Sequence, residues 1–276
     1  MSIGLALAAA ALWGSGDFLG GLANRRTPLL SVLLISQGIG LVGMLLVALI
    51  IGGSASPADL GYGALGGLAG AAGVAMLYRG LASGAMSLVA PVTGVVAVVV
   101  PVAVGVGEGE RPALLQYLGI LLAITAVALL SASGSKALRI SRSTLLLAIG
   151  AGIGFGLFYV ALAKTSSDAN LWPLVTARAA SVLVLVAISA GARRVPGFGR
   201  TNPLVIVGSG VFDVTANALY LLSVHGGLLA IVAVLVSLYP VSTVLCSMLV
   251  LGERLRTPQI TGVALAFAAV VLITAG

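Results

Sequence analysis

The sequence predicts an all-α membrane protein in which ten transmembrane helices form two inverted five-helix repeats. Three observations carry that expectation. Hydrophobic residues make up 60% of the 276-residue chain and charged residues 8%, too few to cover a soluble fold, where about a quarter is usual. Ten apolar runs are each long enough to cross a bilayer as a helix. Finally, one spelling occurs twice: Gly-Glu-Arg, four residues, Gln, two residues, Gly. It runs from Gly109 to Gly119 and again from Gly252 to Gly262, about half the chain apart, as in a duplicated membrane unit.

The runs lie at 3–23, 29–51, 61–81, 84–106 and 113–132, then at 144–164, 171–190, 203–223, 226–250 and 258–275. Met1-Ser2-Ile3 lacks the basic stretch of a cleavable signal, so the first run counts as a span. Turn residues separate the runs from Asn24 to Pro28, Gly52 to Pro57, Gly134 to Ser143 and Gly191 to Pro203. The longest polar break, 131–143, joins the halves, giving a first unit at 1–138 and a second at 139–276. The halves match residue by residue. Gly14, Gly16 and Phe18 correspond to Gly154, Gly156 and Phe158, Gln37 to Arg178, and Tyr78 to Tyr220. Five spans is an odd number, so the second copy enters the membrane upside down.

Glycines at small-xxx-small spacing supply close helix packing where lipid provides no hydrophobic drive: Gly16/Gly20, Gly63/Gly67, Gly66/Gly70, Gly150/Gly154 and Gly152/Gly156. Pro91 and Pro101 in span four and Pro240 in span nine remove backbone hydrogen bonds. The groups they free need protein or a wet cavity beside them, so both spans are expected to bend next to a central space.

The net charge of +7 would suggest nucleic acid in a soluble protein. Here the basic residues fall in short loops, and no nucleic-acid partner is expected. One side holds Arg25, Arg26, Arg79, Lys136, Arg139, Arg142, Arg193, Arg194, Arg200, Arg254 and Arg256; the other holds only Arg111 and Lys164. That bias places the first group in the cytoplasm and both termini outside. Cys246 is the single cysteine and His225 the single histidine. They allow no intrachain disulfide, thiolate metal site or histidine cluster, and no P-loop or paired-histidine motif is present. The expectation is therefore a non-enzyme without metal or cofactor. Its partners are the lipid bilayer and a small-molecule substrate, with monomer and homodimer both open.

Three ionisable residues fall inside spans: Asp17, Arg178 and Asp213. Each costs about 2.5–3.5 kcal/mol at the bilayer centre, so each should face the protein interior. Two carboxylates and one guanidinium leave one carboxylate over, able to take a proton near neutral pH. In span eight, Ser209, Asp213, Asn217 and Tyr220 are spaced four, four and three and share one helical face. Their counterparts in span three are Gly67, Ala71, Ala75 and Tyr78. The polar stripe is expected to line a substrate cavity, the alternative being a seam of interhelical hydrogen bonds. Trp13 lies one turn before Asp17, and with Tyr159 it can stack on a ligand. The candidate substrate-binding set is thus Trp13, Asp17, Gln37, Tyr78, Tyr159, Arg178, Ser209, Asp213, Asn217 and Tyr220. Asp17 and Asp213 are the proton-coupling candidates.

Trp13-Gly14-Ser15, the run from Tyr78 through Ala82 to Pro91, and the two Gly-Glu-Arg joints together resemble the EamA type of the drug/metabolite transporter superfamily over the whole chain. The resemblance implies an alternating-access carrier with a cavity between its halves, moving amino acids or other small metabolites, often outward. It implies that Glu110/Gln116 and Glu253/Gln259 are a structural signature. It also implies cytoplasmic termini, against which we set the charge count. The expected function is a secondary transporter in the bacterial plasma (inner) membrane, an amino-acid or metabolite exporter using proton coupling or exchange. Two rivals stand beside it. One is a cation or multidrug antiporter like the small multidrug resistance proteins, whose first-span carboxylate Asp17 matches in place, although Arg178 weighs against a purely cationic ligand. The other is a non-transporting membrane enzyme or scaffold.

Overall fold

The computed structural model describes residues 1–82, 86–131, 141–191, 193, 196–252 and 257–276, without the side chains of residues 78, 80–82, 86–88, 90, 91, 131 and 247. Tyr78 as a side chain, Lys136, Arg139, Arg194 and the Glu253-Arg254 joint with Arg256 therefore lie outside the described residues.

Eleven α-helices follow one another in the described residues: α1 (Ser2–Asn24), α2 (Leu29–Ile51), α3 (Pro57–Ala82), α4 (Met86–Gly107), α5 (Leu114–Ser131), α6 (Arg142–Ala163), α7 (Trp172–Gly191), α8 (Pro203–His225), α9 (Leu229–Val236), α10 (Tyr239–Leu251) and α11 (Thr257–Ala275). Eight stretches are long and apolar enough to cross a membrane, with Leu229–Leu251 counted as one; Val92–Gly107 and Leu114–Leu130 are apolar but shorter. Local chemistry sets several ends. Ser141 caps α6 by accepting from the Thr144 amide. Asn202 caps α8 by accepting from the Leu204 amide, with Pro203 following in the first turn, where its missing N–H costs nothing. Gly252 closes α10 in the left-handed region.

The ninth apolar run is where the chain departs from a plain helix. It breaks at Ser237 and Leu238, between α9 and α10, and Pro240 sits in the first turn of α10. Helix α9 is buried along its whole length, so its broken backbone lies against protein and not lipid. Helix α4, by contrast, runs on through Pro101 as one helix.

Glycine faces bring the two halves together. A methyl at Gly63 or Gly67 of α3 would strike the Pro173 or Ala177 carbonyl of α7. One at Gly66 would press Ala161 of α6, and one at Gly154 of α6 would meet the Ala69 carbonyl at 2.7 Å. The other face of α6 packs Gly152 and Gly156 on Val96 and Val100 of α4. The final glycines of the two joints do the same between α5 and α11. Gly119 sits 2.7 Å, as an added methyl, from Ile273, and Gly262 sits 2.9 Å from Leu130. Each joint's glycine thus lets α5 and α11 approach closely, at two separate points along the pair.

The two ends of the bundle differ. One end carries Arg25, Arg26, Arg79, Arg142, Arg193 and Arg200 at helix ends and loops. There the Thr27 hydroxyl donates to the Phe198 carbonyl at 2.6 Å. The other end carries Asp59, Glu108, Glu110 and Asp168 beside Arg111 and Lys164, and it is bonded across the halves several times. Asp59 accepts from the Ser166 amide at 2.6 Å. Lys164 pairs with Glu108. Glu110 accepts from the Leu229 and Ala230 amides at 2.5 and 2.9 Å. A carboxylate on two free amides at a helix start is a favourable cap, and here the acid of the first joint holds the start of α9.

Candidate functional site

A cavity of about 290 Å³ opens among α1, α2, α3, α6, α7, α8 and the start of α10. Its walls hold all three ionisable residues of the spans, Asp17, Arg178 and Asp213. A charge at this depth is tolerated where it is paired or meets water, and the three residues divide between those solutions.

Arg178, on α7, is 8% exposed. It donates to the Gln37 side-chain oxygen of α2 at 2.7 Å and forms an ion pair with Asp213 of α8. The other carboxylate oxygen of Asp213 accepts from the Trp13 indole at 3.1 Å and from the Asn217 amide at 3.2 Å. Side chains of α1, α7 and α8 therefore converge on one carboxylate, and both oxygens of Asp213 are engaged. Asp17 is the carboxylate left over. It lines the same cavity, is exposed to it, and makes no hydrogen bond or ion pair among the described residues.

The stripe on α8 both faces the cavity and bonds within the protein. Ser209, Asp213 and Asn217 line the cavity, while each also bonds within the protein. The Ser209 hydroxyl donates to the Gly16 carbonyl at 2.9 Å, and the Asn217 amide donates to the Asp213 carbonyl at 2.6 Å. Tyr220 is not at the cavity surface. Its ring is wholly buried and its hydroxyl donates to the Tyr159 carbonyl at 2.8 Å, so it holds α8 to α6. Behind the ion pair stands an aromatic cluster: Tyr159 lies 5.8 Å from Trp13 and 5.0 Å from Tyr220, centroid to centroid. These rings close the cavity toward the acidic end.

Of the ten residues singled out from sequence, eight line the cavity: Trp13, Asp17, Gln37, Tyr159, Arg178, Ser209, Asp213 and Asn217. Tyr220 supports it from behind, and the Tyr78 side chain lies outside the described residues. Sequence reasoning missed Ser36 and Ser181 as lining residues. Ser181 follows Arg178 by three residues on α7, one turn along the same face, which is the signal that could have found it. Tyr239 reaches the cavity because the ninth run breaks immediately before it. Beside the main cavity, an apolar groove of about 190 Å³ runs between α2, α3 and α7. It extends to Leu29 and Leu30 at the start of α2 and to Ile188 near the end of α7, toward the basic end.

Comparison with known proteins bears on the fold and on the family. A solved structure described as "Crystal structure of protein" superposes with a TM-score of 0.73 over 99% of this chain and 96% of its own, at 16% sequence identity. That likeness concerns the fold alone. Among curated proteins none matches the sequence. The pattern of the EamA-like transporter family matches twice, over residues 1–132 and over 142–275. Two matches that together span nearly the whole chain make this multi-pass membrane protein a member of the EamA-like transporter family.

Proposed function

We propose that the protein is a secondary transporter of small metabolites, an amino-acid or metabolite exporter that works by alternating access with proton coupling or exchange. The observation that carries the reading is a mid-membrane cavity holding an ion pair and one uncommitted carboxylate, Asp17. An exposed carboxylate with no protein partner is available to a proton or to a cationic group of a ligand. Alternation is supported by the ends of the bundle. The groove leads from the cavity toward the basic end, while bonds between the halves tie the acidic end.

We read the chain as ten spans in two inverted units, 1–138 and 139–276, in agreement with the paired family matches at 1–132 and 142–275. By the basic-residue bias, the protein sits in a bacterial inner membrane with both termini outside, and the cavity faces the cytoplasm. Binding is assigned to Trp13, Asp17, Gln37, Tyr159, Arg178, Ser209, Asp213 and Asn217, with Tyr220 in support. Arg178 keeps N–H donors beyond its bonds to Gln37 and Asp213, which suits a ligand carboxylate. The test is uptake into proteoliposomes screened over amino acids, nucleosides and quaternary amines, with and without a pH gradient. Gradient-driven uptake of a small metabolite is expected; none in any class would remove the reading.

One observation favours a second reading, the cation or multidrug antiporter. Arg178 is neutralised by Asp213, so the cavity as a whole keeps the negative charge of Asp17, and the objection to a cationic ligand loses force. Uptake confined to quaternary amines decides for it.

A further inference from the structure

We infer that the substrate is amphiphilic, with a charged head among Asp17, Arg178 and Gln37 and an unbranched apolar tail in the groove between α2, α3 and α7. The inference rests on the reading that the cavity is the substrate site. Its ground is continuity: Leu33, Gln37, Ala71, Val74 and Ser181 line both the cavity and the groove. Gln37 is the junction. The same side chain that accepts from Arg178 forms part of the groove wall. Beyond that junction the wall is aliphatic throughout, formed by Leu29, Leu30, Ala75, Val184, Leu185 and Ile188.

The packing explains why a groove exists. Helix α2 packs on α7 and α8, and α3 packs on α6 and α7, so α7 forms the floor between two helices that stand apart. Small residues at Ala71 and Ala75 on α3 keep that space open. For a ligand with its charged end at Arg178, this trough is an aliphatic continuation that begins at Gln37, the residue bonded to that guanidinium. A polar ligand without a tail would leave about 190 Å³ of apolar space unfilled beside its own head. Filling such space removes apolar surface from water on both sides, and each buried methylene strengthens binding by about fourfold.

The experiment titrates purified protein carrying Trp172→Phe, so that Trp13 is the fluorophore, with three homologous series. These are alanine, norvaline and norleucine; ethylamine, butylamine and hexylamine; and propionate, valerate and heptanoate. In at least one series affinity is expected to climb by about fourfold per methylene. Val184→Phe, which fills the groove from α7, is expected to flatten that climb while leaving the shortest member unchanged. Ala75→Phe fills it from α3 and is the second variant should the first fail to fold. Affinity that stays flat along every series in unfilled protein overturns the inference, as does a climb undiminished by either filled groove. An acyl chain of a surrounding lipid occupying the groove gives the flat result and counts against it. Absence of binding in all three series overturns it as well. Uptake of a short polar member with no dependence on chain length would leave the carrier reading standing and remove only this one.

Discussion

Replacing Asp213 by Asn removes the charge that answers Arg178 and keeps the shape of the side chain. Arg178 is 8% exposed, and the other bond of its guanidinium runs to the neutral oxygen of Gln37. Were the pair wholly enclosed, breaking it would cost about 3–5 kcal/mol. The side chain of Asp213 keeps 37% of its surface open to the cavity, so water can take part of its place. The expected loss is therefore about 1.5–3 kcal/mol, the range for hydrogen bonds to a charged group. Arg178→Gln strands the carboxylate instead. Asp213 retains Trp13 and Asn217, and the loss should be the smaller of the two. In the double variant no charge is stranded, and an amide faces an amide. Unfolding of the four proteins in detergent, followed by denaturant titration, forms a double-mutant cycle. The double should be less destabilised than the sum of the singles by at least about 1 kcal/mol. Additivity within about 0.5 kcal/mol would show that the pair contributes nothing beyond its separate residues, and the reasoning from burial would fail.

Three further outcomes follow from other parts of the structure. Asp17→Asn should abolish the dependence of uptake on a pH gradient while leaving the thermal midpoint within a few degrees of wild type, because Asp17 bonds nothing among the described residues; gradient-driven uptake that persists would move the coupling elsewhere. Cysteines at positions 108 and 164, in a Cys246→Ser background, replace the Lys164–Glu108 pair; joining them with a bifunctional methanethiosulfonate reagent should stop transport and reduction restore it, and transport that continues while the bridge is closed would show that the acidic end does not open. Gly67→Val should cost about 1–3 kcal/mol or more, since the added carbon falls on the Ala177 carbonyl. Gly61→Ala on the same helix meets nothing within 4 Å and should add about 0.5–1 kcal/mol, both read from unfolding midpoints.

Much of this was legible in the sequence because lipid makes composition speak loudly. Turn residues punctuate the apolar runs, and a charged side chain inside a run has few places to go, so Asp17, Arg178 and Asp213 could be assigned to one cavity before any coordinates. Which carboxylate takes the guanidinium was not legible, since that depends on how α7 is rotated against α8. The direction of Tyr220 was hidden for a related reason. It shares the helical face of Asp213, yet lies nearly two turns further on, where α6 covers it. Glu110 reads as an acid at a span end; that it reaches the start of α9, 119 residues away, is tertiary information. The apolar groove was the least visible feature. Leu, Val and Ile facing a groove and the same residues facing lipid give identical patterns, and only packing tells them apart.

The matched positions of the two halves explain why the site is asymmetric. Gln37 matches Arg178, Gly67 matches Ser209, and Ala71 matches Asp213, and all six line the cavity. Residues that correspond in two related units meet only near the axis relating them, which is where Gln37 and Arg178 touch. At such a place a strict duplicate would set like against like. Two guanidinium groups would share one space, or two carboxylates, and each pair would repel in a medium that screens poorly. At these three matched positions the chain avoids this: the second copy carries Arg178, Ser209 and Asp213, and the first a neutral acceptor opposite Arg178 and small residues opposite Ser209 and Asp213. That division satisfies the ion pair within the protein, and the space left by Gly67 and Ala71 becomes part of the cavity. The loss of symmetry among the matched side chains thus leaves open space beside the ion pair.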